Sequence, residues 1–154
     1  MKRSLALIVC LLALASPSFS LAQNVAKSTD DKEAIEKLVR LYIQCQGTPG
    51  EHDKMIDLCV QNATHGVIGV EAHPNRIFNK SIRIQIAEWK RIVTEEYTHD
   101  IDSVRVESFG AETSLAVALV EFHTGNINGR DLFNLTFVDG RWKVLSVVQQ
   151  NRPR

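Results

Sequence analysis

Apolar residues in this chain recur in two rhythms, one of helical and one of strand period. From Asp30 onward Ile35, Leu38, Tyr42 and Cys45 return on one helical face, with Ala34, Val39 and Leu41 widening the stripe. Gly47-Thr48-Pro49-Gly50 stops the pattern, and Asp30 and Glu33 have the spacing of a capping box at its start, which predicts a long amphipathic first helix. Met55, Ile56 and Cys59 suit a short second helix. Thr64 to Val70 reads as a strand and His73-Pro74-Asn75 as a turn. In the stretch from Asn79 to Glu96 two rhythms compete. Ile82, Ile84 and Ile86 alternate, whereas Ile86, Trp89, Ile92 and Val93 keep helical spacing, so a third helix is placed from about Ile84 to Glu95.

The remainder alternates with period two. Strands are predicted near Ile101 to Ser108, Ser114 to Thr124, Asp131 to Val138 and Arg141 to Gln150. Asp139-Gly140 between strand formers predicts a two-residue hairpin with Val138 facing Arg141. Counting outward, Phe137 with Trp142, Leu135 with Val144, Phe133 with Ser146 and Asp131 with Val148 share one face, and Leu132, Asn134, Leu145 and Val147 lie on the other. Helices first and an antiparallel meander after them make the class α+β.

The N-terminus changes the picture of where the protein works. Lys2 and Arg3 precede an apolar run from Leu5 to Ala15, and Ser20-Leu21-Ala22 supplies small residues before Gln23, the pattern of a signal peptide cleaved after Ala22. The run falls short of the roughly 18 residues a spanning helix needs, so the expectation is a periplasmic or secreted protein with no membrane partner after cleavage. Residues 1–22 are then the signal peptide, 23–29 a loose segment and 30–151 one domain. The processed chain carries 16 basic and 18 acidic residues scattered singly, which excludes the basic stripe of a nucleic-acid binder. Cys45 and Cys59 remain in an oxidising compartment, where a bridge between them is expected, closing a loop of about 15 residues for roughly 3 kcal/mol. No metal-ligand spacing accompanies them, and no phosphate loop or nucleophile elbow is present, so no metal and no cofactor are expected.

With "EAIEKLVRLYI" in the first helix, "AEWKRIV" in the third and "FVDGRWKVLSVV" in the last hairpin, the chain resembles the NTF2-like (nuclear transport factor 2-like) superfamily. Within it the resemblance is to the putative lumazine-binding family, beside the SnoaL-like cyclases and the ketosteroid isomerases. It implies a cone-shaped barrel in which three N-terminal helices pack on a strongly bent antiparallel sheet and enclose a pocket, commonly in a homodimer joined through the sheets. On that reading Phe133, Phe137 and Trp142 form an apolar wall, Asp131 and Ser146 are polar groups at its deeper end, and Tyr42 and Trp89 face the same space.

Each candidate has a plainer alternative. Trp89 and Trp142 suit core aromatics, Asp131 a solvated strand end, Ser146 a small residue opposite Phe133, and His99, in "YTHD", a surface turn. The superfamily's isomerases place a tyrosine and two acids in the pocket, a set that only Tyr42, Asp131 and His99 could approximate here. The function expected first is therefore binding of a small, largely apolar or heteroaromatic ligand. Proton transfer beside a carbonyl is the alternative, and a dimeric accessory protein without ligand, meeting its partner through Leu132, Leu145 and Val147, is the third.

Overall fold

The computed structural model describes residues 18–70, 73–108 and 114–153; most of the expected signal segment, residues 1–17, lies outside them. Three helices, α1 (Ser18–Gly47), α2 (Lys54–Leu58) and α3 (Ile82–Ile92), pack on one curved sheet. Its strands are β1 (Cys59–Val70), β2 (His73–Ser81), β3 (Asp100–Ser108), β4 (Leu115–Thr124), β5 (Ile127–Val138) and β6 (Arg141–Pro153), in the order β2-β1-β6-β5-β4-β3. The architecture is the α+β, helices-on-bent-sheet arrangement expected.

Local chemistry explains where the elements differ from their predicted bounds. No glycine or proline lies between Ser18 and Gln46, so nothing halts α1 at Asp30. The helix runs through residues 23–29, expected to be loose, and past the predicted capping box. Asp31 takes a tertiary role instead, its Oδ1 accepting the indole N–H of Trp142 at 3.1 Å. At α3 the first cap is Ser81, whose hydroxyl accepts the Ile84 N–H at 3.4 Å. That start settles the competing rhythms: Ile82, Ile86 and Trp89 turn inward and Ile84 is left exposed. His73-Pro74-Asn75 is not a turn but the beginning of β2, an edge strand, where a proline removes no ladder hydrogen bond that the sheet needs. The sheet is also not wholly antiparallel, because β1 runs parallel to β6.

One buried cluster fills the concave side. Ile35, Val39, Tyr42 and Ile43 from α1 and Ile82, Ile86 and Trp89 from α3 meet Ala118 and Val120 of β4, Phe133 and Leu135 of β5, and Trp142, Val144 and Val147 of β6. On β5 the alternation is strict, with Gly129, Asp131, Phe133 and Leu135 buried between exposed or half-buried neighbours.

The last hairpin has the predicted turn, with Asp139 and Gly140 both at positive φ (52° and 75°), and the predicted pairs Phe137 with Trp142 and Leu135 with Val144. Beyond them a β-bulge at Leu145 changes the register, so that Asn134 faces Ser146, Phe133 faces Val147 and Asp131 faces Gln149. The extra residue turns Ser146 to the outer face, where its hydroxyl accepts the Asn134 amide N–H at 2.9 Å, and brings Val147 and Gln149 inside.

The expected bridge is absent: Cys45 and Cys59 are both buried and free. Burial raises the Cys45 thiol and pushes Cys59 up to about 12, so both are weakly reactive in the folded protein. Their surroundings differ too, with Glu51 and Lys54 near Cys45 and Lys143 near Cys59. Thiol titration of the denatured, processed protein without reductant should return two equivalents; none would restore the bridge.

Candidate functional site

The interior between α1, α3 and the sheet holds a polar cluster that begins at Tyr42. Its buried position on the inward stripe of α1 sets the ring edge-on to Phe133, with centroids 5.2 Å apart. The hydroxyl lies 3.1 Å from His65 Nδ1, and His65 Nε2 lies 3.4 Å from Gln149 Oε1. An amide oxygen can only accept, so His65 carries its proton on Nε2 and receives the Tyr42 O–H at Nδ1. Burial holds His65 down at about 4, so the ring is neutral at ordinary pH, edge-on to Trp89 at 4.9 Å. His52 also meets Trp89, stacked at 6.5 Å, and is bonded through Nε2 to the Gln46 carbonyl at 3.1 Å.

Asp131 completes the cluster. It is fully buried opposite Gln149, neither carboxyl oxygen has a hydrogen-bond partner among the described residues, and burial alone pushes it up to about 8. At neutral pH it is mostly a neutral acid. Burial raises the Tyr42 and Tyr97 hydroxyls, and the nearby Asp131 charge adds to both shifts.

Above this cluster a cavity of about 390 Å³ opens outward. Its apolar walls are Trp89, Ile92, Val93, Phe122 and Ile127; its polar groups include Gln46, Tyr97, His99, Gln149 and Asn151. Gln149 joins the two regions, since it lines the cavity and also contacts His65. The irregular segment between α3 and β3 closes one side, tied to the end of α1 by the Tyr97 N–H to the Gly47 carbonyl at 3.1 Å and by the Tyr97 hydroxyl to the Gln46 carbonyl at 3.4 Å. A side chain at Gly47 would sit 2.2 Å from the Tyr97 carbonyl oxygen, so this tie needs glycine there. Two other hollows are less suited to an apolar ligand. One, of about 380 Å³, is lined by charges of both signs, with Arg130 already bound to Glu121 at 2.6 Å; the other, of about 320 Å³, lies behind Tyr97 and His99.

The structure brings together Tyr42, Trp89, Asp131 and Phe133, places His99 on the same cavity as Trp89, and separates Ser146, Phe137 and Trp142 from them. Ser146 lies on the outer face because of the bulge. Phe137 is 42 % exposed near the hairpin turn, packed on the Trp142 ring at 5.5 Å rather than walling a pocket. Trp142 is buried under α1 through its bond to Asp31. Asp131 is no solvated strand end, and His99 is no surface residue: it is half-buried, edge-on to Phe122 at 4.7 Å, and held at about 4 by burial. His65, Gln149, Gln46 and Asn151 carried no sequence motif. For His65 the available signal was its place two residues from buried Ala63 on an alternating strand.

The model of the family described as putative lumazine-binding matches residues 30–149. No curated protein matches the chain. Solved structures with the same fold include an NTF2-like protein of unknown function from Silicibacter pomeroyi, 18 % identical over 81 % of this chain and 98 % of its own, with a TM-score of 0.62. Another, from Shewanella baltica, is 20 % identical over 82 % and 97 %, with a TM-score of 0.64. A protein from Novosphingobium aromaticivorans described as a putative scytalone dehydratase is 14 % identical over 83 % and 88 %, with a TM-score of 0.61. At these identities the likeness establishes the fold.

Proposed function

The chain belongs to the putative lumazine-binding family of NTF2-like proteins, and from that premise we propose that it is an exported binding protein holding a small, largely apolar or heteroaromatic ligand in the cavity of about 390 Å³ above Gln149. The observation that carries this reading is the make-up of that cavity: aromatic and aliphatic walls with a few converging buried polar groups, the usual composition of a small-molecule site. Export rests on the N-terminal signal pattern, and pairing of two copies through the outer sheet face rests on exposed Leu115, Leu132 and Leu145 there.

A second reading has its own support. A neutral Asp131 beside Tyr42 and the Tyr42–His65–Gln149 chain is the kind of acid–base group that moves a proton next to a carbonyl, and one relative of similar fold is described as a dehydratase. It is placed second because Asp131 does not line the cavity.

Native mass spectrometry of the processed protein, recovered after export, separates these readings. The expected spectrum shows a mass above that of the chain, lost on denaturation, on a dimer. A dimer with no added mass would overturn tight binding and favour turnover or an accessory role, and a monomer would overturn the sheet interface.

A further inference from the structure

The hydrogen bonds from Tyr42 through His65 to Gln149 form a chain with a direction, and that direction decides what the cavity offers a ligand. Histidine can carry its proton on either nitrogen and an amide fits its place either way round, so such a chain can run in two senses. In the first, the Tyr42 O–H donates to Nδ1, the His65 Nε2–H donates to the Gln149 oxygen, and the amide N–H groups are left over. In the second every donor is reversed, and the amide oxygen is left over instead.

Tyr42 selects the first sense. It is 0 % exposed, and His65 Nδ1 at 3.1 Å is the one acceptor within reach of its hydroxyl among the described residues. Asp131 offers no second outlet, since neither of its oxygens has a hydrogen-bond partner there. Running the chain backward would strand the phenolic proton in the core, with the cost of a buried donor left unpaired. The Gln149 amide nitrogen is therefore the free end. It is not spent on Asp131, although the two residues are paired across β5 and β6. Nor is it sealed: it makes no hydrogen bond among the described residues, yet it is not one of the unpartnered polar atoms closed to solvent. Gln149 lines the cavity with Trp89, so its open N–H groups face that space.

We infer that Tyr42 and His65, neither of which lines the cavity, are positioning residues: they lock Gln149 so that it presents N–H donors, and the ligand must carry a hydrogen-bond acceptor there, a carbonyl oxygen or an unprotonated ring nitrogen. The inference rests on the binding reading above for the ligand, but not for the state of His65.

Nitrogen-15 NMR of the processed protein at neutral pH, with His65 assigned through the backbone, should show this ring as the Nε2–H tautomer. The Nδ1–H tautomer would overturn the inference with no ligand present. The ligand side is tested by fluorescence titration with two neutral probes of one ring system: 6-propionyl-2-(dimethylamino)naphthalene, a ketone, and 6-propyl-2-(dimethylamino)naphthalene, which lacks the carbonyl. Gln149→Met, checked for an unchanged melting curve, is expected to weaken the ketone by about three- to tenfold and leave the propyl compound unaffected. Tyr42→Phe, which frees the chain to reverse, should act in the same direction without touching the probe. The ketone's emission, which moves to the red when its carbonyl accepts a hydrogen bond, should move back to the blue in both variants. Equal losses for the two probes, or a ketone bound as tightly by Gln149→Met as by the wild type, overturn the inference. If a variant fails to fold, the tautomer read on the wild type still decides. If neither probe binds to a protein that native mass spectrometry shows to carry a ligand, the acceptor requirement falls and the binding reading stands. If neither binds and no native ligand is found, both fall.

Discussion

Asp131→Asn is expected to stabilise the protein far more at pH 8 than at pH 5. The wild-type carboxyl is fully buried without a hydrogen-bond partner among the described residues, and burial raises it from 3.8 to about 8. Its folded form therefore holds a proton that the unfolded chain releases, so its contribution is fully present below pH 3.8 and is lost as pH rises toward 8. Asparagine has similar size and no charge, so it keeps the neutral state at every pH. The difference between variant and wild type should grow by on the order of 3 kcal/mol from pH 5 to pH 8, read from urea unfolding at each pH. Parallel stability curves over that range would show that Asp131 is not kept neutral by its surroundings. His65 and His99 act in the opposite sense. Both are lowered from 6.5 to about 4, so stability they share in is present above pH 6.5 and is lost as pH falls toward 4. Together the three groups place the wild-type optimum near pH 6.5, and the Asp131→Asn variant should keep the acid limb and lose the alkaline one.

Gly129→Ala is expected to lower stability by about 1–3 kcal/mol, or a melting temperature by roughly 5–10 °C, because overpacking a rigid site forces neighbours off their rotamers. Gly129 and Phe122 are cross-strand partners, and a Cβ on Gly129 would lie 2.1 Å from the Phe122 Cζ. The aromatic ring lies over the bare backbone, so relief requires moving the whole ring. That ring also meets His99 and forms one wall of the cavity, so the substitution should weaken ligand binding as well as the fold. In a Phe122→Leu background, which removes the clashing atoms, the same substitution should cost much less. The strong non-additivity between contacting residues is the informative quantity. An additive cycle, with Gly129→Ala equally harmful in both backgrounds, would show that the cost comes from the glycine backbone and not from the ring.

How much of this was legible without coordinates can be followed residue by residue. The inward stripe of α1, with Ile35 and Tyr42, and the strict alternation of β5, with Asp131 and Phe133, follow from periods of 3.6 and 2 that the backbone imposes on any sequence. Asp139-Gly140 set the hairpin turn, because both residues tolerate positive φ. These local rules were enough to determine the α+β class, the core elements and two of the buried groups around the site.

The rest needed long-range contact. The Leu145 bulge slips β6 by one residue, but the run Val147-Val148-Gln149-Gln150 offers a valine and then a glutamine inward in either register. Hydrophobic pattern could not tell the two apart, so Ser146 was expected inside and Gln149 was not. Desolvation is likewise a property of the packed interior: the same aspartate, alone in the sequence, could be a solvated strand end, and only the enclosure by Val120, Gln149 and the helices makes it a neutral acid. The thiols follow the same logic, since compartment and count suggest a bridge, whereas the fold leaves both thiols buried and free. The sequence by itself determined the elements and the apolar stripes they turn inward. The tertiary structure decided which polar groups are buried with those stripes and which residues meet, because periodicity is set by one residue and the next, whereas register, enclosure and charge state depend on residues far apart in the chain.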